Sequence, residues 1–362
     1  MNILFAHDYP PIEGGGLEVN TFAVASELTA RGNAVTIITS RRSSETFMGG
    51  VPAEQNGVQI RIVKDLQEVA GYVQAADVIC PQMTFSLRDC GIEAIRQALA
   101  MGKVVIVSQH TATNHIPYSN LQRLSLSQRN VRLEEYRDLL NNEGVAVVAP
   151  SIMLADDLTS FGVVKDITII PIGIEQPNTE KSDKKYDLVT VGEVSYLKGL
   201  NYLCDSIRLL KNEGMVVTAA VAGGGSEFEL VKALASSLEI ADQIDFLGYI
   251  PHKRVNNVLA QSRVMVHPSL SEVMPLVIIE AMLMNVPVVA SNVGFCGSLL
   301  KQSGGGVVFE RGDVAGLAAS IKIFLSNERL CTAMGQSGKV YCKERYTIDV
   351  QVDRLVKMIE SR

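Results

Sequence analysis

Much that would place this chain in a familiar class is missing from it. It has no surplus of positive charge: 33 Lys and Arg stand against 39 Asp and Glu, for a net charge of −6. A nucleic-acid binder needs a concentrated basic face, so no nucleic acid is expected as a partner. The six cysteines (80, 90, 204, 296, 331 and 342) form no Cys-x-x-Cys pair, and several lie in apolar runs such as Val78-Ile-Cys80. That pattern suits buried free thiols in a reducing compartment. No Asp-x-Asp occurs; the nearest approach is Asp156-Asp157, and an oxygen-rich metal site needs more than that. Among the five histidines (7, 110, 115, 252 and 267) no pair has zinc-ligand spacing with a third ligand nearby. Nothing approaches the roughly 18 apolar residues of a membrane span. Met1-Asn-Ile-Leu-Phe-Ala-His7 has neither a basic leader nor a long apolar core, so it is expected to be a first strand. A soluble, cytoplasmic protein with no metal site is the expectation.

What the chain does have is alternation. At 362 residues, with 47% hydrophobic and 20% charged residues, it exceeds the usual single core, and two domains are expected. Short β-branched runs alternate with helical ones, the pattern of a parallel α/β sheet. Runs at 2–6, 34–39, 78–80, 103–108 and 145–149 predict the strands of a first doubly wound unit, with a helix over 17–30 stopped by Arg31-Gly32. Runs at 187–191, 216–222, 243–247, 264–267 and 286–290 predict a second such unit. Between them the polar, Pro- and Gly-bearing stretch 171–186 has the composition of a linker. The predicted organisation is therefore a domain over 1–170, a linker over 171–186, a domain over 187–346 and a final helix over 347–362. Two such sheets joined by a hinge imply a cleft between them.

Two carboxylates carry the most information. Glu272 and Glu280 lie eight apart in Ser271-Glu-Val-Met-Pro-Leu-Val-Ile-Ile-Glu-Ala-Met282, between a hydrophobic strand and a hydrophobic helix. One is placed in a loop at the carboxyl end of a strand and the other about two helical turns along. In an open α/β sheet that region forms the ligand crevice. Carboxylates accept hydrogen bonds from paired hydroxyls, which suits a ligand such as ribose plus a sugar. Two glycine clusters stand in strand–loop–helix contexts, Gly14-Gly-Gly16 and Gly223-Gly-Gly225. Such loops let the backbone approach a ligand beside the free N–H groups of a helix start. Position 19 is Val, so the first cluster is not the Gly-x-Gly-x-x-Gly of a dinucleotide fold.

Glu272-x7-Glu280, with Met274-Pro-Leu-Val277 inside it, Val286-Pro-Val-Val-Ala-Ser291 after it, and Lys198-Gly199 and Pro268-Ser269 in order, resembles the signature of the retaining GT-B glycosyltransferases of the group 4 family. These are the glycogen-synthase-like and mannosyltransferase-like enzymes. The similarity covers nearly the whole chain and implies a GT-B fold, two Rossmann-like domains facing each other across a cleft, with the last helix packed back on the first. It also implies transfer of a sugar from a nucleotide-diphosphate sugar, UDP- or GDP-linked, to a hydroxyl acceptor with retention and without a metal. A sugar, a lipid-linked molecule or another hydroxyl compound would serve as acceptor.

The resemblance carries over to individual positions. Glu280 would hold the ribose hydroxyls, and Glu272 with the N–H groups around Pro275, Leu276 and Val277 the transferred sugar. Lys198 and the loops at Gly15, Gly16 and Gly224 would stabilise the diphosphate, and His110 would contact the sugar at the reaction centre. The chain departs from the family pattern in four places: Glu193 stands where an Arg is usual, Ile172 where Asn is frequent, Pro275 where Gly is frequent, and Gly294-Phe-Cys-Gly297 where Gly-Gly-x-x-Glu is frequent. Lys253 or Arg254 could supply the missing charge. A degenerate GT-B protein that binds a nucleotide or a partner, and a sugar-nucleotide epimerase, are the competing readings. Arg123, Arg129, Arg132 and Arg137 suggest peripheral membrane contact, but Glu134, Glu135 and Asp138 dilute them into a solvated face.

Overall fold

The computed structural model describes residues 1–7, 16–40, 52–84, 89–113, 121, 124–177 and 182–362, with the backbone alone at Asp89, His252 and Lys253. The chain divides into two compact units, Met1–Glu175 with Tyr346–Arg362, and Gln176–Arg345.

The first unit holds strands β1 (Asn2–His7), β2 (Ala34–Ser40), β3 (Glu54–Gln55), β4 (Val58–Val63), β5 (Val78–Met83), β6 (Val104–Gln109), β7 (Val145–Ala149) and β8 (Ile167–Ile169), of which β1, β2, β5, β6 and β7 grow from the β-branched runs. They form one sheet in the order β3-β4-β2-β1-β5-β6-β7-β8. Apart from the short β3, which pairs antiparallel with β4, the ladder is parallel. The central strands are buried along nearly their whole length, which is why they read as unbroken apolar runs. Strand order reverses direction between β1 and β5, where an open α/β sheet leaves its crevice.

Three strands of this sheet escape the sequence pattern, the first being β3, only two residues long. β4 is half-buried and carries Gln59 and Arg61, so it has no continuous apolar run. β8 is only three residues long. β5 runs past Cys80 to Met83 through Pro81, which has no N–H to give. Its recorded register with β6 accordingly passes from Ile79↔Val105 to Gln82↔Ser108. That extension brings Gln82 to the carboxyl end of the sheet, opposite His7 of β1.

The second unit holds β9 (Tyr186–Val191), β10 (Ala219–Ala222), β11 (Ile244–Gly248), β12 (Ser262–His267), β13 (Val288–Ser291) and β14 (Gly306–Phe309). All are parallel, in the order β11-β10-β9-β12-β13-β14, so the reversal here falls between β9 and β12. Its core gathers Leu203, Ile207 and Leu210 from the amphipathic helix Leu200–Asn212 with Leu188, Val221 and Val264 from the sheet.

The last helix, Ile348–Glu360, belongs to the first unit. Its face of Ile348, Val352, Leu355, Met358 and Ile359 packs with Val24, Leu28 and Phe5, a spacing of three and four residues that makes one apolar stripe. Polar bonds fix its register. Asn20 Nδ2 donates to Gly173 O at 2.6 Å and to Gln351 Oε1 at 2.8 Å, and Gln351 Oε1 also accepts from Gly173 N at 2.7 Å. Ile174 N donates to Tyr346 O at 2.9 Å, so the two chain segments near the unit boundaries are joined. Truncating Ile359 to alanine removes part of this stripe, and a loss of about 2–5 kcal/mol is expected. Hydrogen exchange checks it: protection should fall in Gly16–Ala30 and Ile348–Glu360 but not in Leu200–Asn212.

Candidate active site

The site in the second unit grows from two loops that leave neighbouring strands. After β9 the chain turns through Gly192–Val194 and a single 3-10 turn, Tyr196–Lys198, before entering Leu200–Asn212. After β12 it passes Pro268, Ser269 and Glu272 before the helix Leu276–Leu283. Leu270 N donates to Leu197 O at 2.7 Å and ties the loops together. Because β9 and β12 flank the sheet reversal, their loops open at the place where α/β sheets bind ligands.

Between these loops stands Glu272, its side chain only 9% exposed. Three donors converge on Oε1: Lys198 Nζ at 2.6 Å, His267 Nε2 at 2.8 Å and Ser269 Oγ at 2.8 Å. Ser269 is held in turn by the Ser291 hydroxyl, which donates to its carbonyl. Burial pushes the Glu272 carboxyl up, but the hydrogen bond and charge of His267, then those of Lys198, outweigh it and hold the group down at about 2. Oε2 makes no hydrogen bond among the described residues, so a second acceptor oxygen remains for a ligand.

Glycine makes this close packing possible. Gly294 has φ +50, and a Cβ there would fall 1.8 Å from Glu272 O. In the loop after β10, Gly223 has φ +147, and its Cβ would fall 1.8 Å from Gly192 O. Gly192 N donates to Ala222 O at 3.0 Å and Val194 N to Gly224 O at 2.9 Å, so this glycine loop is sewn to the loop after β9. Gly224 itself has open space: a Cβ there would meet only Tyr249 N, at 3.8 Å. A small pocket between the loops is lined by Gly192, Glu193, Lys198, Ala222, His267 and Ser269.

The structure places the remaining sequence candidates as follows. Pro275 is buried and caps the helix Leu276–Leu283, with φ −76 and ψ 105. Leu276 and Val277 open that helix, where the first N–H groups have no carbonyl of the same helix to bond. Glu280 is half-buried on its second turn, between the fully buried Ile279 and Ala281. Glu193 is exposed and makes no hydrogen bond or ion pair among the described residues. Arg254 is exposed, and the side chain of Lys253 lies outside the described residues. In the first unit, Gly16 is the exposed first residue of the helix Gly16–Ala30, while Gly15 lies outside the described residues. His110 follows β6, its Nε2 2.9 Å from Gln82 Oε1. Burial, with the nearby His7, pushes His110 down to about 3.

Thus Lys198, Glu272 and the helix bearing Glu280 come together with Gly224 nearby in the second unit, whereas His110 and Gly16 belong to the first. His267 and Gln82 were not singled out by sequence. His267 reads as a strand residue before a proline, and only the two-residue step to Ser269 and the five-residue step to Glu272 hint that the loop folds back on it.

Comparison with known proteins agrees with this geometry. Residues 14–176 match the family described as Glycosyltransferase Family 4 and residues 173–341 the family described as Glycosyl transferases group 1. Glycogen synthase of Mycobacterium tuberculosis is 23% identical over 90% of this chain and 86% of its own length. Among solved structures, Anabaena HepE in complex with UDP superposes with a TM-score of 0.82 at 18% identity over 100% of both chains. Sucrose-phosphate synthase of Thermosynechococcus elongatus superposes at 0.78 with 16% identity, over 100% of this chain and 99% of its own. The chain belongs to the GT-B glycosyltransferases of the group 4 family. It is an enzyme that transfers a sugar from a nucleotide-diphosphate sugar. Among the described residues no group of three or more His, Cys, Asp or Glu is placed to hold a metal ion, and no helix is long and apolar enough to cross a membrane.

The Lys198–Glu272 pair has a testable pH signature. Because Glu272 is held below its ordinary value of 4.5, its contribution to stability is present above that pH and is lost as the pH falls toward about 2. Lys198→Met removes one charged donor, so a loss of about 1.5–3 kcal/mol is expected at pH 7. The difference from wild type should narrow as the pH is lowered through 4.5. Thermal melts of both proteins across that range decide it, and a gap that stays constant would show that Lys198 does not act through the Glu272 charge.

Proposed function

We propose that the protein transfers a hexose from a UDP-sugar to a hydroxyl acceptor with retention at the anomeric carbon and no metal ion. The observation that carries this reading is the convergence of Lys198, His267 and Ser269 on one oxygen of Glu272 at the β9/β12 reversal, beside the glycine loop after β10. UDP is favoured because HepE, whose fold matches along its whole length, was solved with UDP and with UDP-glucose.

In this reading the acceptor oxygen attacks the anomeric carbon from the leaving-group face as the bond to the diphosphate breaks. A donor phosphate oxygen takes the hydroxyl proton. The protein contributes position and electrostatics. An ammonium has three N–H groups, so Lys198 can keep Glu272 and still donate to a phosphate oxygen. Glu272 Oε2 accepts hydroxyls of the transferred sugar, with the N–H groups of Leu276 and Val277 alongside; Pro275 has none to add. Glu280 accepts the ribose hydroxyls. Gly224, Gly15 and Gly16 let the backbone near the donor phosphates, and His110 contacts the sugar as a neutral ring.

The acceptor remains a hydroxyl compound bound by the first unit. On the helix Leu126–Asn141, Leu126 and Val131 are exposed, but Glu134, Glu135 and Asp138 stand among the arginines. That mixture favours a solvated face over a membrane surface.

Glu193 supports a second reading, a nucleotide-binding protein without turnover. A carboxylate about 4 Å from a phosphate would cost on the order of 4 kcal/mol at an effective dielectric of 20. Calorimetry with UDP, GDP and ADP in excess EDTA separates these possibilities. One nucleotide, UDP, is expected to bind, with affinity at least tenfold weaker in Glu280→Ala and stronger in Glu193→Arg. Incubation with UDP-sugars should then give a product whose anomeric NMR signal retains the donor configuration. Binding without product would favour the second reading. Epimerised free sugar nucleotide would indicate an epimerase, and no binding to any nucleotide would defeat the donor-site assignment.

A further inference from the structure

A pocket in the first unit is lined on its polar side by Asn20, Thr21, Gln82, Ser108, His110 and Gln351. Two of these residues, Gln82 and His110, define each other's hydrogen-bonding state. Gln82 is buried, and its Nε2 donates to Cys80 O at 3.2 Å. A carbonyl oxygen only accepts, so the amide fits one way round, with Oε1 toward the imidazole. That oxygen lies 2.9 Å from His110 Nε2 and also only accepts. The proton of a neutral His110 therefore sits on Nε2. The ring is held from behind as well, because His110 N donates to Met83 O at 2.9 Å.

The ring is neutral in this setting. Burial and the nearby His7 push it down to about 3, and among the described residues the pocket walls carry no other titratable group. With the proton on Nε2, Nδ1 is left with a lone pair. It is closed off from solvent and has no hydrogen-bond partner among the described residues. A buried acceptor without a donor is costly, and a group that supplies one is correspondingly favoured.

We propose that Gln82 is a positioning residue that locks His110 in its Nε2–H tautomer, so that Nδ1 accepts a hydrogen bond from a hydroxyl of the bound sugar. The tautomer follows from the two amide contacts alone; only the identity of the hydroxyl rests on the reading under Proposed function. The arrangement makes His110 a selector. A hydroxyl satisfies Nδ1, whereas a deoxy analogue leaves it bare and a protonated ring would present a donor instead. Sites built this way reject the analogue that lacks the group.

The first test is NMR of the full chain labelled with 15N-histidine, using multiple-bond proton–nitrogen correlations and His110→Asn to assign the ring. A pyrrole-type Nε2 and a pyridine-type Nδ1 are expected, unchanged from pH 8 to about pH 5. An Nδ1–H tautomer, or an imidazolium in that range, overturns the proposal. Two variants then read the consequence. Gln82→Leu should mix the tautomers and lower kcat/KM for sugar transfer roughly 10–100-fold, with UDP affinity unchanged. Gln82→Glu keeps an acceptor at Nε2 and should retain the tautomer and most activity at pH 8. Its carboxylate favours the imidazolium, so its activity should fall on acidification at a higher pH than wild type. An unchanged ring spectrum in Gln82→Leu would refute the lock. A protein that shows the expected tautomer yet binds no nucleotide would refute the functional reading and leave the lock standing.

Discussion

A carboxylate cannot be nine-tenths buried unless its charge is answered, and in this protein Glu272 organises the second unit around that requirement. Its Oε1 draws a cation from the loop after β9, an imidazole from the end of β12 and a hydroxyl from the turn between. Each partner then constrains another part of the chain. Lys198 needs the turn Tyr196–Lys198, closed by Gly199 at φ +64, and Ser269 needs the Ser291 hydroxyl on its carbonyl. Gly294 must lack a side chain because Glu272 O occupies the place of its Cβ. The departure at Gly294-Phe-Cys-Gly297 is thus consistent with a packed loop: Cys296 is buried, and burial, with the Glu272 charge, pushes its thiol up to about 12.

The two units meet similar geometry with opposite electrostatics. In each, the sheet order reverses beside its first strand, and polar side chains gather at the carboxyl ends of the two strands that flank the reversal. The second unit places a charged carboxylate there and balances it with an ammonium. The first places His7 and Gln82 in register across β1 and β5, with His110 bonded to Gln82, and keeps the imidazole neutral by burial. A charged group suits hydroxyls and phosphates whose own charge changes during reaction, and a neutral acceptor suits recognition of a hydroxyl that does not. The physical difference is one of burial and partner, not of fold.

How much of this was legible depends on the range of the interaction. Glu272 and Glu280 stand out because nine residues of one strand–loop–helix segment carry both, and the glycine clusters because they interrupt apolar runs. The alternation that marks β1, β7 and β12 is likewise local. The Lys198–Glu272 pair spans 74 residues, and nothing in the sequence pairs these two. His267 and Gln82 were hidden for a different reason. Both lie at the carboxyl ends of buried strands, where a single polar residue looks like the close of an apolar run, and Pro81 makes the strand seem to stop before Gln82 is reached. β4 stayed unread because Gln59 and Arg61 give its exposed side the composition of a loop.

Glu193 is where local pattern and chemistry pull apart. Lys198 and Glu272 together are neutral, so on the proposed reading a diphosphate entering their pocket would meet Glu193 as an added negative charge. That charge is exposed and free to turn outward, so on that reading solvent would screen most of the repulsion, and donor binding would be weakened, not forbidden. The compensation must come from groups that composition does not reveal. The backbone N–H groups at the start of Leu276–Leu283 and the partial positive charge of that helix end are available whatever the side chains are. The glycine loop after β10 brings further backbone within reach without a side chain in the way. A donor site resting on backbone dipoles and one lysine depends on loop geometry more than on charge count, and that geometry is set by the buried Glu272.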